Sequence, residues 1–540
     1  MSVCKVLRGQ NYHPKLTDTQ TQEMIKFAVL RPDSSVDCIT MDGLDRIGLK
    51  NSTPHARLLN PASGLASVEG RRLTMPDVKY DKTNVGGTPG KWNLVDVGKY
   101  SGQGRQAVWA ILPMGEFSWY NEQYREMDKE LRQLMSKRGF DLANHHTLDD
   151  RCLLSPRLTR NLPTETRDKE LTDHFQHLKR EGYNLLFVLL PNKGAELYHA
   201  IKAVADITVG IHTVCVVESK AGKRPKGGKG LFDLQLFDNI LLKANLKQGG
   251  INHKLEFPSA TILSDLGAMV LGLDVTHSPP AARKAETPPS IIGMVANADK
   301  HLAQWPATIA FQERENQEIV TSLQSFQTLL GPHLDRYYRL HKKYPRALIL
   351  YRDGVSEGQY SQVASNEYEG IRAVCATKYG GKDQEPPMIS IIVVGKRHHT
   401  RFYPSTEADA DRKGNTRPGT VVDRSITSQF LWEFYLQAHE AIQGTARPAH
   451  YVVVVDEFFR STFGVAANRP KHCQNAADVL EGFTHALSYA LGRSTRSIGV
   501  CTPARLADKV CDRARCYTAA GLTQGQIRIA DDLKDSMFYI

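Results

Sequence analysis

The sequence predicts an α/β protein, because short apolar runs alternate with amphipathic helical stretches from about residue 106 to the end of the chain. The runs NLLFVLLP (184–191) and HTVCVV (212–217) are typical of buried parallel strands, and AELYHAIKAVADI between them is typical of a crossover helix. Beyond residue 260, stronger strand patterns such as AMVLGLDVTH, SIIGMVANA and RALILYRDGV predict a mixed sheet with helices between and after the strands.

The first 105 residues contain scattered proline and glycine, and only TDTQTQEMIKFAV predicts a helix, for which Thr17 and Thr19 are candidate caps. We therefore interpret residues 1–105 as a connector, and we expect the chain to be a piece of something longer. Residues 106–250 and 251–540 each alternate strands and helices, so each range is expected to form one domain.

Further elements follow in order along these two ranges. QAVWAILP predicts a strand, and NEQYREMDKELRQLMSKRG predicts an amphipathic helix that ends at Gly139. LFDNILLKANLK predicts a helix that ends at Gly249 and Gly250, since glycine is favoured just after helix C-termini. PATIAFQ, MISIIVVGK and HYVVVVDE complete the predicted strands, and PARLADKVCDRARCY predicts the last helix.

Composition and charge exclude several classes of protein. The 69 lysines and arginines exceed the 58 aspartates and glutamates by 11, which suits a polyanionic partner without requiring one. The nine cysteines show no paired CxxC spacing, so free thiols in a reducing compartment are expected rather than a zinc site or a disulfide framework. No apolar run reaches the roughly 18 residues that span a bilayer, and no signal peptide is apparent. We therefore expect a cytoplasmic protein without a membrane partner.

Two aspartates end buried strand patterns: Asp274 ends MVLGLD and Asp353 ends ALILYRD. Either residue alone is more often a turn or helix cap. Two acids at strand ends in one domain favour function, because both carboxylates then reach the edge of the sheet and can share hard cations. Phosphodiester cleavage by two metal ions needs such a cluster, and it rarely works with two acids, so further carboxylates are expected to converge there.

Cationic residues recur at helical spacing upstream. Tyr198 and Lys202 stand four residues apart on the crossover helix, and Lys243 and Lys247 have the same spacing on a later helix. Such pairs are usually solvated surface, but apolar residues surround the lysine pair, and like charges at this spacing repel unless an anion lies between them. A bound phosphate reconciles these facts. The run KRHHTR (396–401), directly after a strand pattern, suits a phosphate backbone.

Several strings closely resemble the PIWI domain of eukaryotic Argonautes, in the same order: LGLDVTH, YRDGVSEGQY, KRHHTRF, IQGTARPAHY and RSTRSIGV. LLPNKGAELYHAIKAVAD and NILLKANLKQGGIN resemble the MID domain, and KLTDTQTQEMIKFA with GRRLTMPDVKY resembles the end of PAZ and the second linker. The resemblance implies a Rossmann-like MID domain at 106–250 and an RNase H-like PIWI domain at 251–540, preceded by a linker segment at 1–105. It also suggests a filamentous-fungal Argonaute of the quelling type.

The resemblance implies a catalytic tetrad in the PIWI domain, which falls on Asp274, Glu318, Asp353 and Asp508. Glu318 matches a glutamate on a mobile loop of the family, and many relatives carry histidine where Asp508 stands. Chemistry tolerates that difference, because a carboxylate is a harder ligand for Mg²⁺ than imidazole. The implied ligands of two Mg²⁺ or Mn²⁺ ions are Asp274, Asp353 and Asp508.

The resemblance also implies a pocket for the 5′-phosphate of a guide RNA, formed by Tyr198, Lys202, Thr213, Lys243, Lys247 and Arg513. The family often has glutamine where this chain has Val214, so the hydroxyl of Thr213 is expected to contact the phosphate instead. The terminal SMFYI resembles the apolar family ending, which implies that Ile540 lies near the lysines. The residues that match those holding the guide backbone are Lys396, Arg397, Arg401, His439, Arg447, Arg493 and Arg496.

The leading hypothesis is therefore a small-RNA-guided endonuclease that cleaves complementary target RNA with divalent metal, acting in RNA silencing with silencing-complex proteins. The alternative is a non-enzymatic module that holds a small RNA and silences through partners, and the complete tetrad favours the enzyme. An unguided RNase H-like nuclease would leave the phosphate pocket unexplained. The resemblance further implies weak cleavage by this lobe alone, since PAZ manages the guide's 3′ end in the family.

Overall fold

The computed structural model describes residues 16–49, 58–59, 62, 64–86, 88–114, 121–142, 164–192, 194–221, 233–277, 289–312 and 318–540. The smaller of two compact units is drawn from Met1–Ser67, His399–Arg417 and Glu440–Arg447, and the larger from Val68–His398, Pro418–His439 and Pro448–Ile540. All of the predicted catalytic and phosphate-binding residues belong to the larger unit. The domain boundaries at residues 105 and 250 stay a prediction.

The smaller unit begins with a capped helix. The hydroxyl of Thr17 accepts a hydrogen bond from the backbone N–H of Gln20 and closes a capping box, so the cap predicted at Thr17 is confirmed, and Thr19 lies inside the first turn. Later in this unit the hydroxyl oxygens of Ser35 and Tyr403 lie 3.0 Å apart. The α-helices described in this unit include α1 (Asp18–Ala28), α2 (Pro32–Asp37) and α3 (Leu44–Arg46).

The larger unit contains every strand and helix that the sequence patterns predicted beyond residue 105. Its described strands are β1 (Arg71–Arg72), β2 (Asp77–Tyr80), β3 (Thr83–Asn84), β4 (Trp109–Pro113), β5 (Leu185–Leu190), β6 (His212–Val217), β7 (Lys254–Glu256), β8 (Ala268–Thr276), β9 (Ser290–Ala296), β10 (Ala307–Gln312), β11 (Ala347–Asp353), β12 (Met388–Gly395), β13 (Thr420–Val422), β14 (Trp432–Gln437) and β15 (Ala449–Asp456). Its described α-helices are α4 (Asn121–Arg138), α5 (Thr164–Arg180), α6 (Ala195–Ala203), α7 (Glu218–Ala221), α8 (Leu234–Lys247), α9 (Thr261–Ser264), α10 (Leu323–His341), α11 (Tyr360–Gln362), α12 (Tyr368–Tyr379), α13 (Phe459–Phe463), α14 (Ala476–Leu487) and α15 (Thr502–Ala519).

Three parallel strands form the first sheet, in the order β4–β5–β6. Every residue of β4 and β5 is buried, as expected for a sheet that helices cover on both faces. α4 and α8 pack on one face, and α5 and α6 pack on the other. Gly249 follows α8 with a φ of 85°, which only glycine adopts without strain, so the predicted glycine stop is confirmed.

The second sheet is mixed, as predicted, and has the order β1–β13–β14–β15–β12–β11–β8–β9–β10. β8, β11 and β12 run parallel to one another, while β9 is antiparallel to β8 and β15 is antiparallel to β12. The register pairs Leu273 of β8 with Arg352 of β11. An apolar core lies on each face of this sheet, and α15 contributes to one core while α10 and α12 contribute to the other.

Helix α15 lies on β8 and β9 so closely that glycine is needed beneath it. A Cβ built on Gly272 of β8 would overlap the carbonyl oxygen of Pro503, and one built on Gly293 of β9 would lie 2.9 Å from the carbonyl oxygen of Ala507. Real Cβ atoms essentially never come this close to a backbone oxygen. The two glycines therefore let the backbone of α15 rest on the strands.

Residues 71–86 and 88–102 belong to the larger unit, and their interpretation as a connector stays a prediction. β1 pairs with β13 at the edge of the large sheet, and β2 pairs with β3 and β7 in a small three-stranded sheet. The ring of Trp92 stacks on Tyr489 with centroids 6.1 Å apart. The strands of this segment have two to four residues, which is too short for a periodic pattern to be read from sequence.

The described residues test the prediction made for the cysteines and also show the hydropathy of the helices. Seven cysteines in the described ranges are free thiols, as predicted, and Cys4 and Cys152 lie outside those ranges. No helix in the described ranges combines the length and the apolar character needed to cross a membrane. Neither observation identifies a compartment.

Replacing Gly272 by alanine is expected to destabilise the larger unit by about 1–3 kcal/mol, because the added methyl group overlaps the Pro503 carbonyl and forces α15 to move. Denaturant unfolding gives the free energy. Gly482→Ala is the matched control: it lies inside α14, a Cβ there meets nothing within 4 Å, and alanine is favoured inside a helix, so stability should stay the same or rise slightly. Equal effects of the two substitutions would contradict the close contact.

Candidate functional site

Asp274 and Asp353 lie side by side on neighbouring parallel strands. Leu273 is paired with Arg352, so the next residue on β8 and on β11 brings the two aspartates to the same end of the sheet. Asp274 is buried, with 9% of its surface exposed, and Asp353 is half-buried at the end of its strand. The structure thus brings together the two acids that the strand patterns singled out.

Burial and mutual repulsion make these carboxyl groups hard to ionise. Burial, followed by the neighbouring Asp353 and Asp508 carboxylates, raises the pKa of Asp274 to about 8. Burial and the charge of Asp508 raise the pKa of Asp353 to about 6. Crowded negative charge in poorly hydrated surroundings is stabilised when a cation binds, so shifts in this direction are typical of functional acids.

The predicted loop glutamate, Glu318, is held near these acids by its backbone. The buried guanidinium of Arg352 donates to the carbonyl oxygen of Glu318 and forms an ion pair with Glu367, whose two carboxylate oxygens each lie 3.1 Å from Arg352 Nε. Glu367 in turn accepts a hydrogen bond from the backbone N–H of Val320. One buried ion pair therefore anchors residues 318–320 on both sides.

The side chain of Glu318 faces Asp274 across Gly354. Glu318 Oε1 lies 3.0 Å from Nε2 of His277, and Glu318 Oε2 is buried without a hydrogen-bond partner. Gly354 has a φ of 86°, and a Cβ built on it would lie 3.3 Å from Asp274 Oδ1 and 3.8 Å from Glu318 Oε2. A side chain at this position would fill the space between the two carboxylates, so glycine keeps that space open.

Asp508 approaches the same acids from α15, completing what we call the acid cluster (Asp274, Glu318, Asp353 and Asp508). Its charge acts on both strand aspartates, yet its Oδ2 lies 2.6 Å from Arg505 and 3.8 Å from Lys509. Among the residues that the structure describes, no group of three or more His, Cys, Asp or Glu side chains is arranged as a metal site. The charge of Asp508 acts on the two strand aspartates, but its carboxylate contacts cations of its own helix, so a metal site formed by the four acids stays a prediction.

The acid cluster fits a hard divalent cation in its chemistry. All four side chains are carboxylates, the ligand type that Mg²⁺ and Mn²⁺ prefer. The Oε2 of Glu318 is unpartnered, and the raised pKa of Asp274 shows that its charged form is disfavoured in the absence of a cation. Asp274, Asp353 and Asp508 would hold such a cation once Asp508 exchanges its arginine partner for metal.

A second candidate site is a cavity of about 310 Å³ in the larger unit, which we call the cationic cavity. Its walls come from α6, β6, α8, α15 and the last residues of the chain. Five of the six predicted phosphate-binding residues line it. The lining residues are Tyr198, Lys202, Thr213, Val214, Cys215, Lys243, Arg493, Lys509, Asp512, Arg513, Cys516, Tyr539 and Ile540.

Positive charges crowd this cavity. Burial, followed by the charges of Arg493 and Lys202, lowers the pKa of Lys243 to about 8. Burial and the nearby arginines also lower the pKa of Arg493. Groups whose charged form is disfavoured by neighbouring cations gain stability when an anion enters, so the arrangement suits a negatively charged ligand.

Two of the cavity cations are oriented by groups behind them. Lys202 Nζ donates to the Thr213 carbonyl oxygen at 2.9 Å and to its hydroxyl oxygen at 2.6 Å, so that hydroxyl orients a lysine. Arg513 donates to Asp206 at 2.7 Å and reaches the Tyr198 hydroxyl at 3.4 Å. The predicted direct contact of Thr213 with a phosphate stays a prediction.

Lys247 is the predicted phosphate ligand that the structure does not place in the cavity lining. It is buried and donates to the carbonyl oxygen of Phe538, which also accepts a hydrogen bond of 2.8 Å from Arg513. Lys247 therefore stands behind the cavity and holds the C-terminal segment. Ile540 lines the cavity, so the expected position of the chain end is confirmed.

Three of the predicted backbone-binding residues lie near the acid cluster or next to one another. Lys396 and His439 converge at Gly499, where a Cβ would overlap Lys396 Nζ and lie 2.8 Å from His439 Nδ1. Burial and the charge of Lys396 lower the pKa of His439 to about 3, so this imidazole is neutral. Arg397 is exposed, and its charge lowers the pKa of Asp353, which opposes the larger effect of burial.

The other predicted backbone-binding residues are spread more widely. Arg493 lines the cationic cavity, whereas Arg496 is exposed in a β-bridge with Lys91. Arg401 and Arg447 belong to the smaller unit, where burial and the charge of Arg447 lower the pKa of Arg401. Binding of a guide backbone by these four residues stays a prediction.

Several residues of these sites were not singled out from the sequence. His277 and Arg352 stand inside the strings LGLDVTH and YRDGV, next to acids that were recognised. Lys509 directly follows Asp508 on the predicted last helix, so its neighbourhood to a recognised acid was the signal that could have identified it. Glu367 carries no sequence signal, because its role depends on packing against a strand 15 residues upstream.

Comparisons with known proteins agree with this geometry. A family model described as Piwi domain matches residues 185–519. Protein argonaute MEL1 of Oryza sativa subsp. japonica is 29% identical over 587 residues, which cover 100% of this chain and 52% of that protein, and the chain spans about half the length of the curated relatives it matches. Among solved structures, Kluyveromyces polysporus Argonaute with a guide RNA is similar with a TM-score of 0.79 and 25% identity, covering 99% of this chain and 60% of that one.

The quelling-type suggestion can be compared with one solved structure. The MID-PIWI domains of N. crassa QDE-2 AGO are similar with a TM-score of 0.55 and 25% identity, covering 82% of this chain and 100% of that one. The same identity is found for the Kluyveromyces polysporus protein, so the identity does not favour one fungal type. The quelling type stays a prediction.

Asp274→Asn is expected to raise the thermal stability of the metal-free protein at pH 8. An unfolded aspartate ionises with a pKa of about 4, whereas Asp274 in the folded chain has a pKa of about 8. The folded state therefore binds the extra proton between those values, and stability falls as the pH rises through that window. Thermal melts with EDTA at pH 5 and pH 8 should show a loss that is smaller in the variant by roughly 2 °C. The exposed Asp383→Asn is the control, and equal losses in both variants would contradict the shift.

Proposed function

The chain belongs to the Argonaute family, as a MID–PIWI lobe, and we propose that it binds the 5′-phosphorylated end of a small guide RNA and cleaves complementary RNA. The observation that carries the proposal is the presence of the cationic cavity and the acid cluster in one compact unit, both bordered by α15. The cavity can hold one end of the guide RNA, and the acids can form a reaction centre.

A terminal phosphate is the anion that best suits the cationic cavity. It carries up to two negative charges, which the amino groups of Lys202 and Lys243 and the guanidinium of Arg513 can neutralise through charged hydrogen bonds. The Tyr198 ring offers a face on which the first base can stack, with Lys202 Nζ 5.6 Å from the ring centroid. The last residue, Ile540, forms part of the wall, which favours the end of a strand over its middle.

Contacts with the backbone of the guide RNA beyond its first nucleotide are assigned to the remaining predicted residues. Lys396, Arg397 and His439 project from the ends of β12 and β14, on the strand edge that also carries Asp353. Neutral His439 can donate a hydrogen bond to a phosphate or ribose oxygen without adding charge. Base pairing would read the target sequence while these residues supply shape and charge. We assign the same role to Arg401, Arg447, Arg493 and Arg496.

Cleavage is assigned to the acid cluster. Two bound Mg²⁺ or Mn²⁺ ions would activate a water molecule and stabilise the leaving oxygen. Asp274 and Asp353 offer carboxylates from adjacent strands, and Asp508 offers a third from α15. Glu318 is docked by Arg352, with one carboxylate oxygen on His277 and the other unpartnered and directed toward Asp274. Burial of Asp274 keeps bulk water from the reacting groups.

A guide-binding module without cleavage is the alternative, and one observation favours it. Asp508 contacts Arg505, and no group of acids in the described residues is a ready metal site. In that case the chain would silence through silencing-complex proteins. The crowded carboxylates of Asp274 and Asp353 favour the cleavage hypothesis. Carboxylates that repel one another in a buried place have no use to the protein unless a cation binds between them. Under either function we place the protein in the cytoplasm, where small RNAs meet their targets.

Asp274→Ala is expected to lower the rate of matched-target cleavage by about 100-fold or more, the loss seen when a preorganised electrostatic group is removed from a reaction centre. Affinity for the guide should change less than about twofold, because Asp274 lies outside the cavity lining. Single-turnover cleavage with Mg²⁺ and filter binding of the guide measure the two quantities. Asp383→Ala is the exposed control. Equal losses of cleavage and guide affinity would show that Asp274 is structural, and no metal-dependent cleavage by the parent chain would favour the alternative function.

Lys243→Ala is expected to weaken a 5′-phosphorylated guide by roughly 10- to 100-fold, the value of one charged hydrogen bond, and to leave a 5′-hydroxyl guide nearly unchanged. Lys243 faces the cavity, so its contribution depends on the phosphate. Competition binding gives the ratio of the dissociation constants of the 5′-phosphorylated and 5′-hydroxyl guides. Lys534→Ala, an exposed lysine 3.2 Å from Asp531, is the matched control. If Lys243→Ala weakens both RNAs alike, the cavity does not bind the phosphate.

A further inference from the structure

One lysine of α15 touches both candidate sites. Lys509 lines the cationic cavity together with Asp512, with which it forms an ion pair. The same ammonium nitrogen lies 3.8 Å from Oδ2 of Asp508, the acid that α15 contributes to the acid cluster. A single positive charge is therefore shared between a wall of the cavity and a carboxylate of the reaction centre.

The charges around Asp508 oppose the binding of a divalent cation there. Arg505 lies 2.6 Å from its carboxylate, and Lys509 adds a second positive group. Asp512, on the other side of Lys509, places a negative charge on the wall of a cavity that is otherwise suited to anions. The position of the Lys509 ammonium therefore affects how strongly Asp508 attracts a cation and how strongly Asp512 repels an anion, while Arg505 stays next to Asp508.

We propose that Lys509 is a positioning residue that couples occupation of the cationic cavity to divalent-cation binding at Asp508. The Lys509 ammonium already contacts Asp512, and a 5′-phosphate in the cavity draws it toward the phosphate. The ammonium then moves farther from Asp508, whose carboxylate loses one of its two neighbouring positive charges and becomes a better ligand for a divalent cation. The inference rests on the proposed function, because it takes the cavity as the phosphate site and Asp508 as a metal ligand.

The coupling is reciprocal by thermodynamic linkage, so a cation at Asp508 also strengthens binding of the 5′-phosphate. Lysine suits this role because its ammonium is a point charge on a flexible four-carbon stem. The side chains of Lys509, Asp508 and Asp512 are 27%, 32% and 45% exposed, so solvent screens the interaction. We therefore expect a modest coupling of roughly two- to fivefold in affinity, the range found for partly exposed ion pairs.

The simpler interpretation is that these residues are ordinary surface pairs. α15 carries other pairs at i, i+3 spacing, such as Arg505 with Asp508 and Arg515 with Asp512. Lys509 differs from Arg505 and Arg515 because it alone among these cations also lines the cavity. If the Lys509 pairs are only surface ion pairs, the affinity for metal should not depend on whether the RNA carries a 5′-phosphate.

The experiment measures Mn²⁺ binding directly and needs no cleavage. The 540-residue chain is saturated with a single-stranded RNA carrying either a 5′-phosphate or a 5′-hydroxyl, and free Mn²⁺ is followed by electron paramagnetic resonance. Asp508→Ala with each RNA gives the Mn²⁺ bound elsewhere, including by the phosphate itself. After that correction, the 5′-phosphorylated RNA should lower the Mn²⁺ dissociation constant about two- to fivefold relative to the 5′-hydroxyl RNA.

Variants at position 509 separate coupling from folding. Lys509→Met should bring the ratio of the two dissociation constants to one and should tighten Mn²⁺ binding with the 5′-hydroxyl RNA, whereas Lys509→Arg should keep a ratio above one. Lys534→Met, which removes a lysine from an i, i+3 pair elsewhere, should keep the wild-type ratio. Thermal melts and RNA affinity confirm that each variant is folded.

Four outcomes would overturn the coupling. A ratio of one in the wild type, or an unchanged ratio in Lys509→Met, removes this inference alone, provided that Asp508→Ala lowers Mn²⁺ binding and the phosphate improves RNA binding. If Asp508→Ala leaves Mn²⁺ binding unchanged, or if the phosphate has no effect on RNA affinity, the metal or phosphate assignment fails, and the coupling fails with it.

Discussion

The contact between α15 and the two strands beneath it is the constraint on which both sites depend. Glycine at positions 272 and 293 lets the helix backbone approach the sheet more closely than any side chain would allow. That approach sets the height and rotation of α15, and with them the positions of Asp508 and Arg513. The two residues are five positions apart, about 140° around an ideal helix. One helix surface can therefore face the sheet edge while another faces the cavity.

Each site contains a group whose charged form is disfavoured by burial and by neighbours of the same sign. In the acid cluster, burial and repulsion raise the pKa of Asp274, and in the cavity, burial and repulsion lower the pKa of Lys243. Each arrangement is less stable without its ligand than with it. Ligands of opposite charge therefore add to folding stability when they bind, and the same free energy appears as binding affinity. Preorganised charge of this kind favours function over stability.

A buried ion pair holds residues 318–320 in place, which the sequence could not show. Arg352 and Glu367 have no exposed side-chain surface, and between them they bond the backbone at Glu318 and Val320. A buried charge pair is seldom a net source of stability, but removing one partner leaves the other unpaired and is costly. The pair therefore specifies where residues 318–320 lie, next to the strand that ends in Asp353.

The sequence by itself determined the α/β class, the long strands and the aspartates near the ends of β8 and β11, because buried strands appear in a sequence as continuous apolar runs. The strings that resemble the family also determined which residues were candidates for the two sites. Only the tertiary structure decided that residues 71–102 join the larger unit, since strands of two to four residues have no readable period. It likewise placed Lys247 behind the cavity and Lys509 between the two sites. Spacing assigns residues to one face of a helix, but the rotation of that helix is set by contacts far away in the chain, such as Gly272 with Pro503.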